Sequence, residues 1–91
     1  MDVSIIIPLL NESDSLKELN SCISKSFGNL DLEIEIIYID DGSDDSSWKI
    51  IEELANTNNN VKGISFTRNY GKSQALKVGF SEAKGEYVAT L

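Results

Sequence analysis

Two adjacent carboxylates, Asp40 and Asp41, close an isoleucine-rich run and are followed by Gly42-Ser43-Asp44-Asp45-Ser46-Ser47. A carboxylate fixed at the end of a strand can accept hydrogen bonds from the amide or imide edge of a nucleobase, or from sugar hydroxyls. The plain alternative is a turn whose charges suit the dipole of the helix that follows. Asp44 and Asp45 already supply those charges, and like charges side by side at a buried strand end oppose one another. The pattern therefore favours a ligand for Asp40 and Asp41. Pro8-Leu9-Leu10-Asn11-Glu12 ends an earlier apolar run. Its proline removes one backbone donor from a strand ladder, and Asn11 and Glu12 read either as helix-capping groups or as contacts to a base or ribose. Thr67-Arg68-Asn69-Tyr70-Gly71-Lys72-Ser73 sets the two cations Arg68 and Lys72 and a glycine ahead of a helical pattern. That combination suits phosphate oxygens, although a solvated loop has the same composition. Its spacing is not that of a Walker loop and no Gly-x-Gly-x-x-Gly occurs, so ATPase and dinucleotide readings lose support.

The segments around these groups decide whether they meet. Val3 to Leu10, Glu33 to Ile39 and Val61 to Phe66 are apolar runs of strand length, and a fourth begins at Glu86-Tyr87-Val88-Ala89-Thr90. Between them lie three helical patterns: Leu16, Leu19, Ile23 and Phe27; Trp48, Ile51 and Ala55 with Ile50 and Leu54; and Leu76, Gly79, Phe80 and Ala83. Ser15 with Glu18 resembles a capping box, Ser43 or Asp44 suits the cap of the second helix, and Gly85 the end of the third. The order βαβαβαβ predicts an α/β fold with a mainly parallel sheet of about four strands and three helices. Right-handed crossovers then put every strand's carboxyl end on one edge. Asn11, Asp40, Thr67 and Leu91 would share that rim, which is where open α/β sheets bind ligands. Phe27, Trp48, Phe66 and Phe80 are predicted to be core, and Cys22 an inert helix residue.

Composition narrows the function. Ninety-one residues make one domain at most, and a net charge of −7 disfavours nucleic acid and anionic lipid surfaces. No apolar run approaches the roughly 18 residues of a membrane helix. Met1-Asp2-Val3-Ser4 has no basic region ahead of its apolar segment, which predicts a cytoplasmic chain. A single cysteine excludes an intramolecular disulfide, and without histidine any acid or base chemistry falls to carboxylates.

Together, Ile5-Ile6-Ile7-Pro8-Leu9-Leu10-Asn11-Glu12, Ile39-Asp40-Asp41-Gly42-Ser43 and Thr67-Arg68-Asn69-Tyr70-Gly71-Lys72 resemble the family 2 glycosyltransferases, in order and over all 91 residues. Within that family the chain looks most like the bacterial polyprenyl-phosphate glycosyltransferases related to dolichol-phosphate mannose synthase. The resemblance implies the Rossmann-like, three-layer nucleotide-binding half of a GT-A fold. It also implies transfer of a sugar from a UDP- or GDP-sugar to a lipid-phosphate or glycan acceptor, with Mg²⁺ or Mn²⁺. By position it implies that Pro8, Leu10 and Glu12 line the nucleotide pocket, that Ile39 packs against the base and Asp41 bonds to it, and that Asp40 is the neighbouring acidic position. Leu10 stands where a tyrosine is frequent. The family's Asp-x-Asp metal motif is expected directly after a strand such as Tyr87-Val88-Ala89-Thr90-Leu91. The chain is accordingly expected to be an N-terminal fragment that holds the donor cradle, without the metal motif, the catalytic base, the acceptor half or the membrane helices of some relatives.

A receiver-like signalling module is the competing reading, since such domains also carry an acidic pair. Receivers place that pair after the first strand and a phosphorylated aspartate after the third; here the pair follows the second and Thr67 follows the third. A sheet cut at its fourth strand would also expose an edge and is expected to self-associate.

Overall fold

A computed structural model describes all 91 residues. Strand β1 runs Val3–Leu9, β2 Ile34–Asp40, β3 Val61–Ser65 and β4 Tyr87–Thr90, with helices α1 Leu16–Gly28, α2 Ser47–Thr57 and α3 Lys72–Glu82 between them. The strands form one sheet in the order β3-β2-β1-β4, and every neighbouring pair is parallel. β2 lies inside the sheet, and its apolar run Ile36-Ile37-Tyr38-Ile39 is what a strand covered on both faces requires.

Alternation along the strands divides the core in two. Ile5, Ile7 and Leu9 of β1 and Ile36 and Tyr38 of β2 pack with Leu16, Ile23 and Ile51 under α1 and α2. Ile6, Ile37 and Ile39 pack with Ala75 under α3. The result is the expected three-layer α/β arrangement, with all carboxyl ends on one edge. α3 approaches closely because Gly79 has no side chain: a Cβ there would stand 2.4 Å from Ile6 Cγ2 and 2.6 Å from Ile39 Cδ1.

Several local expectations are corrected. β1 stops at Leu9, and Leu10 is exposed; β3 stops at Ser65; and β2 extends through Asp40, which pairs with Ser65. Ser15 occupies the cap position of α1 without a capping bond; its hydroxyl bonds Glu12 instead. α2 is preceded by Ser46 rather than Ser43 or Asp44, because those two residues are bonded to the loop after β1. α3 ends at Glu82, and Gly85 packs with its Cα against the backbone of Ser4. Phe80 is 52% exposed rather than core, and all four residues of β4 are exposed, since α3 packs mainly on β1 and β2.

At the amino edge, away from the rim, a carboxylate is fully buried. Glu35 Oε2 accepts the Ser4 hydroxyl at 2.5 Å and the Lys84 amide at 2.7 Å, while Lys62 Nζ lies 2.9 Å from Oε1. Burial by itself would raise this carboxyl, but hydrogen bonds from Ser4, Lys62 and Lys84 outweigh it and lower it to about 2. On the other face the Tyr38 hydroxyl donates to Asn20 Oδ1 at 2.7 Å, and burial pushes it up to about 12.

Candidate nucleotide-binding site

Asp40 and Asp41 leave the sheet together and then do different things. Asp40 is 1% exposed, and its Oδ1 accepts the Ser43 amide at 2.9 Å, closing the turn that starts the β2–α2 loop. Asp41 is 6% exposed, and its own amide donates to Leu9 O at 2.9 Å. Asp41 Oδ1 accepts the Tyr70 amide at 2.8 Å and Oδ2 the Gly71 amide at 3.1 Å. One carboxylate thus binds the β3–α3 loop to the end of β2. Gly42 completes the contact: at φ 82° a Cβ would meet Arg68 C at 2.4 Å, so only glycine lets the two loops touch.

That junction orients the cationic loop. The Arg68 guanidinium lies 4.9 Å from the centre of the Tyr70 ring, and Phe66 meets the same ring edge to face at 5.6 Å. Lys72 opens α3, whose first turn has neither a capping side chain nor an acidic residue. Backbone donors and two exposed cations therefore gather at one end of the sheet, as oxyanions require.

The β1–α1 loop faces them from the other side. Asn11 adopts a left-handed φ of 54°, which asparagine tolerates better than most residues. Its amide donates to Ser43 Oγ at 2.8 Å, the Glu12 amide to Ser47 Oγ at 3.0 Å and the Ser13 amide to Asp45 Oδ2 at 3.2 Å. In return the Asp44 amide donates to Asn11 Oδ1 at 3.0 Å. Hydrogen bonds from Ser47 and Ser13 hold the Asp45 carboxyl down at about 2.

A cavity of about 270 Å³ opens between the loops, lined by Pro8, Leu9, Leu10, Asp41 and Lys72. Of the residues singled out in the sequence, the structure brings Pro8, Leu10, Asp41 and Lys72 to this cavity. Glu12 lines a neighbouring cavity of about 280 Å³ with Leu16, Leu19 and Leu91. Pro8 and Leu9 border both. Asn11 and Asp40 hold loops, Arg68 lies over Tyr70, and Ile39 is fully buried beneath α3, where it supports the rim from below. Sequence reasoning missed Ser47, a fully buried residue that nothing in its run of serines and aspartates sets apart. No three acidic, cysteine or histidine side chains are grouped to hold a metal ion, and each side-chain oxygen of Asp41 already accepts one amide. These residues do not form a metal cradle.

A parallel α/β sheet that gathers an acidic strand end, a cationic loop and an apolar cavity at its carboxyl edge defines a Rossmann-like ligand-binding domain. The chain belongs to glycosyl transferase family 2: the family model described as "Glycosyl transferase family 2" matches residues 4–91. It is 46% identical over 90 residues to the undecaprenyl-phosphate 4-deoxy-4-formamido-L-arabinose transferase of Proteus mirabilis (strain HI4320), covering 98% of this chain and 28% of that protein. It is 42% identical to the putative glycosyltransferase CsbB of Bacillus subtilis (strain 168), covering 98% of this chain and 27% of the relative. Among solved structures, S. aureus TarS 1-349 in complex with UDP-GlcNAc superposes with a TM-score of 0.84 at 27% identity, over 100% of this chain and 26% of that one. The mannosyltransferase PcManGT of Pyrobaculum calidifontis, in complex with GDP-Man and Mn²⁺, gives 0.80 at 25% identity, over 94% of this chain and 25% of that one. The chain thus spans little more than a quarter of the relatives it matches, and corresponds to the nucleotide-binding half of their GT-A fold.

Proposed function

We propose that these 91 residues are the donor-nucleotide-binding part of a longer glycosyltransferase that transfers a sugar from a UDP- or GDP-sugar to an acceptor, with polyprenyl phosphate as the favoured acceptor. The observation that carries this reading is the cavity in which Asp41 and Lys72 face the apolar residues Pro8 and Leu10. Leu10 and Pro8 offer an apolar wall to a base or ribose, Asp41 offers acceptor oxygens, and Lys72 and Arg68 offer charge to a diphosphate. In the reaction an acceptor oxygen forms a bond to the anomeric carbon of the sugar. The bond from that carbon to the diphosphate breaks, and the nucleoside diphosphate leaves with the electron pair. Cations beside the diphosphate offset the charge that grows on it.

The names of the relatives support the polyprenyl-phosphate acceptor and, with it, work at the cytoplasmic face of a membrane. No helix of the structure is long and apolar enough to cross one. The Mn²⁺ complex of a structural neighbour supports use of Mg²⁺ or Mn²⁺ by the full-length enzyme, at residues outside these 91.

Isothermal titration tests the reading. UDP or GDP is expected to bind the 91-residue chain weakly, Lys72→Ala to weaken the diphosphate but not the free nucleoside, and the chain alone to show no turnover. Absence of binding by both nucleotides at millimolar concentration would overturn it. Accumulation of an aspartyl phosphate on incubation with acetyl phosphate would favour the receiver-like alternative.

A further inference from the structure

Three successive backbone amides, those of Asn11, Glu12 and Ser13, donate to three side chains of the β2–α2 loop and the first residue of α2: Ser43 Oγ, Ser47 Oγ and Asp45 Oδ2. Consecutive amides that converge beside a left-handed residue make a concavity that ordinarily receives an anion. Here the protein fills it with its own oxygens, one of them the carboxylate of Asp45. We propose that Ser43 and Ser47 are positioning residues of the nucleotide site: they hold the β1–α1 loop so that Leu10 stands across the cavity from Asp41. The inference rests on the nucleotide reading above and extends it to residues that do not touch the cavity.

Three observations favour this role over ordinary loop packing. Ser47 is fully buried and its hydroxyl is the acceptor for the Glu12 amide, so apolar packing alone would be served as well by alanine. Asn11 holds a φ of 54°, and its side chain returns a bond by accepting the Asp44 amide, so the two loops are laced in both directions. Leu10 immediately precedes the first laced amide, lies 42% exposed and lines the cavity without strand pairing of its own. The lacing on its carboxyl side and Leu9, the last residue of β1, on its amino side bracket it. The lacing also assigns the anion: with the amides of residues 11 to 13 engaged, a diphosphate is left to the Arg68 and Lys72 side of the rim.

The test compares the parent 91-residue chain with the double variant Ser43→Ala/Ser47→Ala and with Ser43→Thr, which keeps the acceptor oxygen. Two readouts are taken: amide hydrogen exchange at Asn11, Glu12 and Ser13 by NMR, and titration with UDP and with uridine. The double variant is expected to exchange these amides faster while the β2 amides stay protected, and to lose about tenfold in affinity for both UDP and uridine. Ser43→Thr is expected to behave as the parent. Equal affinity of parent and double variant, with the amides freed, would overturn the positioning role; unchanged exchange would overturn the lacing itself. If the parent binds neither ligand, the nucleotide reading fails and the positioning role fails with it, while exchange still decides whether the serines hold the loop. If the double variant does not fold, Ser43→Ala alone, at a half-buried site, gives the same two readouts.

Discussion

Asp41 and Tyr70 are joined by a 2.8 Å hydrogen bond from the Tyr70 amide to the Asp41 carboxylate, with the Gly71 amide on the second oxygen. A residue that reads in the sequence as a ligand contact is therefore also the fastening between two loops. Each of its oxygens accepts one amide and keeps a lone pair, and Asp41 lines the cavity with Lys72 and Leu10.

Asp41→Asn keeps the shape but replaces one acceptor oxygen by a donor, which meets an amide already pointing at it. The variant is expected to lose about 2 kcal/mol of stability, the worth of a charge-assisted bond, and to bind UDP at least about tenfold more weakly. Thermal melts and titration check this, and faster exchange of the Tyr70 and Gly71 amides would show that the loop has come free. An unchanged melt would show that the two bonds contribute nothing.

Gly79→Ala tests how far the site depends on the seat of α3. The added methyl meets Ile6 and Ile39 well inside contact distance, and overpacking of this kind costs about 1–3 kcal/mol. α3 must shift outward, and Lys72 at its start moves with it. The expected result is a lower melting temperature, by about 4–8 °C for each kcal/mol lost, together with weaker UDP binding. Ser81→Ala, on the exposed side of the same helix, is the control and should change stability by less than about 0.5 kcal/mol.

Acid is expected to unfold the chain through Glu35. Its folded carboxyl lies near 2, below the ordinary 4.5. A lowered value means that stability is present in full above the ordinary value and is lost as pH falls through that window toward 2. Asp45, also lowered to about 2, adds to the same limb. Urea midpoints measured from pH 7 to pH 3 should fall on the acid side. In Glu35→Gln the midpoint at pH 7 should be lower by the equivalent of about 2 kcal/mol, the worth of a charge-assisted hydrogen bond, and its acid slope shallower. A parent whose midpoint is flat between pH 5 and 3 would contradict this account.

Tyr87 and Val88 of β4 and Leu91 just after it are all exposed. An uncovered parallel edge of this kind promotes association, so light scattering is expected to show concentration-dependent growth in mass. Val88→Lys should suppress it; a monodisperse monomer at all concentrations would count against the edge.

The strands and their common edge were legible because β-rich apolar runs alternate with helical spacing, and connection length forces parallel pairing. Which charged side chain lies in which cavity was not. Glu12 and Asp41 follow neighbouring strands and occupy the same rim, yet they line different cavities, because β1 passes between them and Pro8 and Leu9 border both sides. Ile39 shows the limit of reading by position: its place next to Asp40 says nothing about the face on which its side chain lies, and the sheet's alternation sends it under α3. The lacing of the two loops was also hidden, since it depends on amides, which every residue carries, meeting side-chain oxygens more than thirty positions away. Phe80 was misjudged because helical spacing reveals one apolar stripe and not how much of it a neighbouring strand will cover.

β1 lies inside the sheet, and its outer flank is filled by β4, which follows β1, β2 and β3 in the chain. A ribosome therefore makes β1, β2 and β3 before β4. During that interval the nascent chain presents the bare ladder of Val3 to Ile6 to whatever is nearby. Closure awaits Tyr87 to Thr90, and the Lys84 and Gly85 amides that seat on Glu35 and Ser4 act as the catch that ends the exposure. Elongation rate and chaperone access, rather than equilibrium stability alone, would then govern how much of this polypeptide reaches its native form.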